Sequence, residues 1–319
     1  MSSKNKVWIN YLLDYGIVIV LFAILAIFSI SSGKFFSVTT AIVIMRQVAI
    51  TGVIAVGMTF VMITGGIDLS VGAVAGVAGV LAAVLMLAGV PVVGACAVSV
   101  LVGALFGFFN GISVCALNIP PLIGTLGMMT TLRGIAYLLS GGIPVYGFDK
   151  NFKYLAQGSL MRVPYPVLIM LFVCLIGWIV LTKTPIGRYI YGVGGNEEAS
   201  RLSGINVRGV KYFVYIVSGF LSGLAGLLLL ARTNSGQPSA GSGYEMDAIT
   251  AVVLGGVSIS GGSGNVWLVS VGVVIMGTLS TGMVMNSIND YVQQVIKGLV
   301  LIAAVAFAQY SQKVKARNV

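Results

Sequence analysis

Charged positions are so sparse along this chain that its organisation is carried by the gaps between them. Uncharged windows run over residues 15–33, 47–67, 69–132, 134–148, 163–182, 212–231, 248–289 and 298–312. A helix that crosses a bilayer needs about 20 predominantly apolar residues. The 64-residue window 69–132 therefore holds more than one crossing, with turn signals at Gly89-Val90-Pro91 and Asn118-Ile119-Pro120-Pro121. The window 248–289 divides at Gly261-Gly262-Ser263-Gly264-Asn265. The pattern predicts an all-α membrane protein with about ten transmembrane helices, at 15–33, 46–65, 69–89, 91–116, 121–140, 164–182, 212–232, 247–261, 265–285 and 291–309. The eighth is short, and is expected to be re-entrant or broken. The chain reads as one transmembrane domain over 1–319.

Composition leaves little room for a soluble alternative. The 319 residues are 58% hydrophobic and only 8% charged, against about 25% charged in an ordinary soluble domain. The 43 glycines suit membrane helices, where small residues let backbones approach. A net charge of +10 is distributed as clusters beside apolar segments rather than as a basic groove, which argues against nucleic acid. Lys4 and Lys6 sit at one end, Lys313, Lys315 and Arg317 at the other, and a third cluster lies between Lys183 and Lys211. With ten spans all three clusters fall on one side, which predicts both termini in the cytoplasm. The stretch Tyr15–Gly33 lacks a small-residue cleavage site and is expected to stay as a span.

The chain echoes itself. Ile67-Asp68-Leu69-Ser70 has a counterpart in Met246-Asp247-Ala248-Ile249, and Phe109-Asn110-Gly111-Ile112 in Met285-Asn286-Ser287-Ile288. The offsets are 179 and 176 residues. An odd number of spans separates the aspartates, so the pattern predicts inverted five-helix repeats, taken as 15–182 and 212–309 around a loop at 183–211.

Few polar groups lie at membrane depth. Asp68 and Asp247 each open an apolar helix, and each reads either as an N-cap or as part of a gate. Arg133 and Lys297 fall inside spans, where an ionised side chain costs about 2.5–3.5 kcal/mol at mid-bilayer and so faces water or a partner. Asn110, Asn286 and Gln293 either line a path or join helices to each other. No acid falls near the middle of a predicted span, which weakens an ion-coupled carrier. The chain has no histidine, and no acid or metal cluster, which disfavours an embedded enzyme. Cys96, Cys115 and Cys174 lie in apolar runs and read as packing residues. No GxxxxGK[ST] phosphate loop occurs, so no nucleotide or other cofactor is expected on this chain. In the loop 183–211, Asn196 is a good N-cap, Glu197 and Glu198 suit a first turn, and Gly204 suits a stop.

Five segments together resemble the permeases of bacterial ABC monosaccharide importers of the ribose, arabinose, galactoside, xylose and allose type. They are Gly-Gly-Ile-Asp-Leu-Ser-Val-Gly (65–72), Thr-Leu-Gly-Met-Met-Thr-Thr-Leu-Arg-Gly (125–134), Gly-Arg-Tyr-Ile-Tyr-Gly-Val-Gly-Gly-Asn-Glu-Glu-Ala (187–199), Tyr-Glu-Met-Asp-Ala-Ile (244–249) and Val-Leu-Gly-Gly-Val-Ser-Ile-Ser-Gly-Gly-Ser-Gly (253–264). The resemblance implies an inner-membrane permease with no catalysis of its own, paired with a second permease copy. It implies a periplasmic sugar-binding protein outside and a cytoplasmic ATPase with two nucleotide domains inside. It assigns ATPase coupling to Gly194, Gly195, Asn196, Glu197, Glu198, Ala199, Leu202 and Gly204. Asp68, Asn110, Arg133, Asp247, Asn286, Gln293 and Lys297 are the expected path or gate residues. The competing expectations are import of an autoinducer or a branched-chain amino acid, or a secondary carrier working alone.

Overall fold

The computed structural model describes residues 20–31, 33 and 35–317. The basic N-terminal residues and residues 15–19 of the first predicted span lie outside them. The described chain is helical apart from turns and a two-residue hairpin. Its helices are α1 (Val20–Ser31), α2 (Val38–Ile63), α3 (Val71–Leu87), α4 (Val92–Cys115), α5 (Pro121–Ser140), α6 (Tyr154–Gln157), α7 (Tyr165–Lys183), α8 (Pro185–Gly195), α9 (Glu197–Leu202), α10 (Val207–Thr233), α11 (Tyr244–Leu254), α12 (Val266–Met285) and α13 (Asp290–Arg317). Strands β1 (Ser159–Leu160) and β2 (Val163–Pro164) pair antiparallel, Ser159 opposite Pro164, between α6 and α7.

Seven described helices are long and apolar enough to cross a membrane: α2, α4, α5, α7, α10, α12 and α13. α1 and α3 are apolar but shorter, and α11 has 11 residues. The turn signals hold, since α3 ends before Gly89, α5 starts with Pro121 at its first position, and residues 255–265 separate α11 from α12. Three starts differ from the charge pattern, those of α2, α10 and α11, the last taking in Glu245 and Asp247. α2 begins at Val38 because Ser37 caps it, accepting from Thr40 N–H at 3.1 Å. Arg46 is carried inside that helix, its guanidinium donating to the Gln157 carbonyl at 2.7 Å. α10 begins at Val207, capped by Asn206, and so takes in Arg208 and Lys211.

Packing centres on α10, which lies against α2, α3 and α4. Apolar side chains gain little by meeting each other when lipid is the alternative, so close backbone approach has to supply the contact. Gly103, Gly107 and Gly111 of α4, four residues apart, face Gly219, Tyr215 and Tyr212 of α10 respectively. A Cβ on Gly103 would stand 2.6 Å from the Gly219 carbonyl oxygen, and one on Gly111 would stand 2.6 Å from the Tyr212 ring. As numbering rises on α4 it falls on α10, so the helices cross antiparallel. On the other flank Gly226 of α10 meets the Ala75 backbone of α3, and Gly79 meets Gly226 in return.

The contacts of α2–α5 recur among α10–α13. α4 packs on α10 and α3 on α5, while α12 packs on α2 and α11 on α13. The α2–α12 pair is antiparallel like α4–α10, with Val48 beside Gly277 and Val273 beside Gly52. Between α10 and α11 the chain runs along α3 in a series of turns. Gly236 lies by Ala83 and Val80, Ala240 by Gly76, and Gly241 by Gly72. α11 therefore starts beside the first turn of α3.

Gly107→Leu is expected to lower stability in detergent by about 1–3 kcal/mol or more, as overpacking does, because backbone stands where the side chain must go. Gly127→Ala, in open space on α5, is expected to be neutral or to stabilise by up to about 1 kcal/mol. Thermal melting of the two purified variants reads the opposite signs.

Candidate functional site

Three groups of residues stand out, and the first is a buried carboxylate. Asp68 lies between α2 and α3 and is 1% exposed. One carboxylate oxygen accepts from Ser70 N–H at 3.0 Å, Ser70 Oγ at 2.7 Å and Asn110 Nδ2 at 3.3 Å. The other accepts from Ser218 Oγ at 2.9 Å. Asn110 Nδ2 also donates to Ser70 Oγ at 2.8 Å. Asp68 is thus not the cap of α3; Ser70 occupies that position and makes no side-chain cap bond. The carboxylate instead ties the entry of α3 to α4 and α10. Next to it, Leu69 N–H donates to Thr125 Oγ1 at 3.1 Å, which brings in α5.

The second group gathers at the start of α11. Gly243, in the left-handed region, occupies the cap position, and Asp247 lies within the first turn rather than before it. Asp247 Oδ2 pairs with Lys297 Nζ of α13 at 2.8 Å, and Glu245 Oε1 with Arg133 Nη2 of α5 at 3.4 Å. Glu245 Oε1 also accepts from Gly243 N–H at 3.2 Å. Both carboxylates are buried, and both cations keep about a quarter of their side chains exposed. Each cation placed by sequence inside a span thus has an acid on the same short helix. Negative charge at a helix N-terminus is further favoured by the helix dipole.

The third group is α8–α9 and what lies under it. Asn196 caps α9, accepting from Ala199 N–H at 2.9 Å. Glu197 pairs with Lys211 at 2.7 Å and Glu198 with Arg201 at 2.6 Å. Asn196, Glu197, Glu198, Ala199 and Leu202 are exposed, Leu202 at 78%. Gly204 is left-handed, φ +82°, and ends the helix. Gly194 packs directly on the Ile63 carbonyl and on Gly262. Ile63 O accepts from Gly262 N–H at 2.8 Å, and Tyr191 Oη donates to the Gly264 carbonyl at 2.8 Å. Gly261 is left-handed at +86° with Gly65 and Gly194 backbone around it, so only glycine suits the position.

Of the sequence-predicted residues, the structure brings together Asp68 with Asn110, and Asp247 with Lys297. Asn286 and Gln293 stand apart from both groups. Asn286 Nδ2 donates to the Gly282 carbonyl at 2.8 Å at the end of α12, and Gln293 Nε2 to the Ile288 carbonyl at 2.8 Å. Asn110 lies inside α4 whereas Asn286 caps the end of α12, so their likeness in sequence is not repeated in structure. Glu245 as partner of Arg133, and Ser218 as a donor to Asp68, were missed. Glu245 carried a signal, being an acid in an apolar stretch next to Asp247. Ser218 carried none, since it lies 150 residues from Asp68.

Residues 40–305 match the family described as the permease component of the branched-chain amino acid transport system. The chain belongs to this permease family. The permease is 42% identical over 305 residues to the ribose import permease of Haemophilus influenzae, covering 94% of each chain. It is 42% identical over 287 residues to the ribose import permease of Bacillus subtilis, covering 89% of each. To the D-allose permease of Escherichia coli it is 39% identical over 301 residues, covering 94% of this permease and 92% of that one. No solved structure matches it.

Lys297→Met is expected to cost about 3–5 kcal/mol, because it strands a buried carboxylate. Adding Asp247→Asn is expected to restore part of that loss. A double-mutant cycle of melting curves checks this, and no recovery in the double variant would rule out the pairing.

Proposed function

We propose that this permease forms the membrane path of an ATP-driven importer for a monosaccharide, with ribose the first sugar to test. The carrying observation is the likeness along nearly the whole chain to ribose and allose import permeases. On this reading a periplasmic binding protein delivers the sugar and a separate cytoplasmic ATPase with two nucleotide domains supplies the energy. The permease itself performs no chemistry.

The topology proposed with it has ten crossings in the inner membrane, both termini cytoplasmic, and inverted repeats. Support comes from the recurrence of the α2–α5 contacts in α10–α13. By that recurrence the repeats run better as α2–α5 and α10–α13 than as 15–182 and 212–309. α11 counts as a partial crossing, completed by the turns before it that follow α3. Half-helices that start within the membrane are a recurring device at transporter repeat interfaces.

α5 and α13 are the least buried of the seven long helices, which supports a second permease copy facing them, with the sugar path between. Arg133 and Lys297 reach from these two helices to α11. Breaking and remaking the two ion pairs would let α5 and α13 move relative to α11 while every charge keeps a partner in one state. Asp68 and Asn110 hold α3, α4 and α10 together at the other pseudo-equivalent helix start. Asn286 and Gln293 would act by fixing the ends of α12 and α13.

The coupling role falls to Gly194–Gly204. α9 offers two carboxylates, Ala199 and an exposed Leu202 to a partner, and its base rests by backbone on the ends of α2 and the 255–265 turn. A push on α9 therefore reaches the helices without passing through a flexible side chain.

Glu197→Lys with Glu198→Lys is expected to abolish binding-protein-dependent uptake of radiolabelled ribose and stimulation of the ATPase in proteoliposomes, while membrane insertion stays intact. Normal stimulation would sink the coupling role. Uptake of leucine in place of ribose by the unaltered complex would move the substrate class to branched-chain amino acids, and ATP-independent uptake would make the protein a secondary carrier.

A further inference from the structure

α2 and α10 cross antiparallel, with Gly57 beside Ser218 and the Arg232 guanidinium donating to Gln47 Oε1. The first half of α2 therefore stands beside the end of α10, and α6 reaches both. Arg46 Nη2 donates to the Gln157 carbonyl at 2.7 Å, and Gln157 Nε2 to the Arg232 carbonyl at 3.5 Å. The pocket left between these three helices has a volume of about 230 Å³ and is lined by Val43, Arg46, Ala156, Gln157 and Arg232. It lies about 25 Å along α2 from Ile63, where the α8–α9 platform rests.

The charge of this pocket is unbalanced. Two half-buried guanidiniums line it, and among the described residues neither has a carboxylate partner, the paired cations being Arg133, Arg201, Lys211 and Lys297. Each of the two spends one terminal nitrogen on a neutral acceptor, which leaves Arg46 Nη1 and Arg232 Nη2 with no bond among the described residues. Arg46 Nε is buried and has no acceptor either, and a buried donor left unmade is costly. A guanidinium does not shed its proton in a protein, so balance comes from an anion. Both forks are already oriented for one. The Gln157 carbonyl holds Arg46, and Gln47 holds Arg232 while donating to Tyr244 Oη at 3.4 Å. Groups fixed in advance in this way lose less on binding.

We propose that the pocket between α2, α6 and α10 binds a terminal phosphate group, with Arg46 and Arg232 as its two ligands. Charge and shape select the class. A carboxylate or a phosphodiester carries one negative charge and would leave the second guanidinium uncompensated. A terminal phosphate carries about −1.5 to −2 at pH 7 and offers three strong acceptor oxygens, which suits two planar forks. Inorganic phosphate and the headgroup of a phosphatidate present this same group, and the test separates them. The site goes beyond sugar transport and is independent of which substrate the permease carries.

The test uses the full chain, purified in a phosphate-free maltoside detergent and titrated with inorganic phosphate by calorimetry at constant ionic strength. Saturable binding at one site per chain is expected, with acetate weaker by about tenfold or more. Arg46→Gln and Arg232→Gln are each expected to weaken phosphate binding by about tenfold or more, since each removes a charge-assisted bond. Arg46→Lys, which keeps the charge and loses the fork, is expected to weaken it less. Melting curves check that the variants are folded. If a glutamine variant does not fold, Val43→Phe, which fills the pocket from its exposed rim and leaves both arginines, is expected to abolish binding instead. A second arm compares retention of phosphatidate and phosphatidylglycerol by the chain in nanodiscs. Preferred retention of phosphatidate, lost in Arg232→Gln, supports a lipid source; a response to inorganic phosphate without that preference supports a free one. Binding of neither, binding that survives both arginine substitutions, or acetate held as tightly as phosphate would overturn the proposal, the last in favour of a carboxylate from a docked protein.

Discussion

Helices in lipid have no water to escape, so what brings them together must come from the shape of their backbones. In this permease that constraint falls on α10. Its contacts with α4 and α3 are made glycine to glycine and glycine to carbonyl, at Gly103, Gly107, Gly219 and Gly226, with no space for even a methyl group. The Asp68 carboxylate then closes the same assembly with hydrogen bonds from α3, α4 and α10. Buried away from water, such a carboxylate is tolerated because both of its oxygens accept hydrogen bonds. The glycine seams set how near the helices lie, and the carboxylate fixes their register.

Around this centre the permease is less tightly packed. α5 and α13 keep most of their surface outside the chain's own core, and each is attached to the centre through α11 by one buried-acid ion pair. Buried carboxylates are costly unless paired, so the pairs are constraints with few alternatives. α9 has the opposite character. Its two carboxylates are solvated and its ion pairs lie at the surface, where each contributes about 0–1 kcal/mol. A partner can therefore displace them at little cost, and the rigid part of that face is the backbone contact beneath, from Gly194 to Ile63 and Gly262.

Much of this was legible in the sequence because the membrane imposes a simple rule: charge ends a window, and glycine–proline or glycine runs divide one. α5 and α12 match the predicted spans 121–140 and 265–285 to within a residue, although Arg133 sits inside α5. α2 and α10 overran them because Arg46, Arg208 and Lys211 found backbone, solvent or acid partners without leaving the helix. The cap at Asn196 was legible because its bond is local, three residues on. Pairings across the fold were not. Arg133 with Glu245 spans 112 residues and Asp68 with Ser218 spans 150, and no local pattern encodes such distances. Asp68 and Asp247 looked alike in sequence, yet one is held by hydroxyls and an amide and the other by an ammonium, because different helices stand opposite them.

The brevity of α11 has a mechanical consequence. Eleven residues at about 1.5 Å each reach about 16 Å, half of a hydrocarbon core. α11 carries Glu245 and Asp247 in its first turn, and its last turn runs into the glycine-rich bend that rests on α8. On the coupling role proposed above, it acts as a short lever with the ion pairs at one end and the α8–α9 platform at the other. A small tilt imposed at the platform becomes a displacement at the ion pairs within a single rigid element.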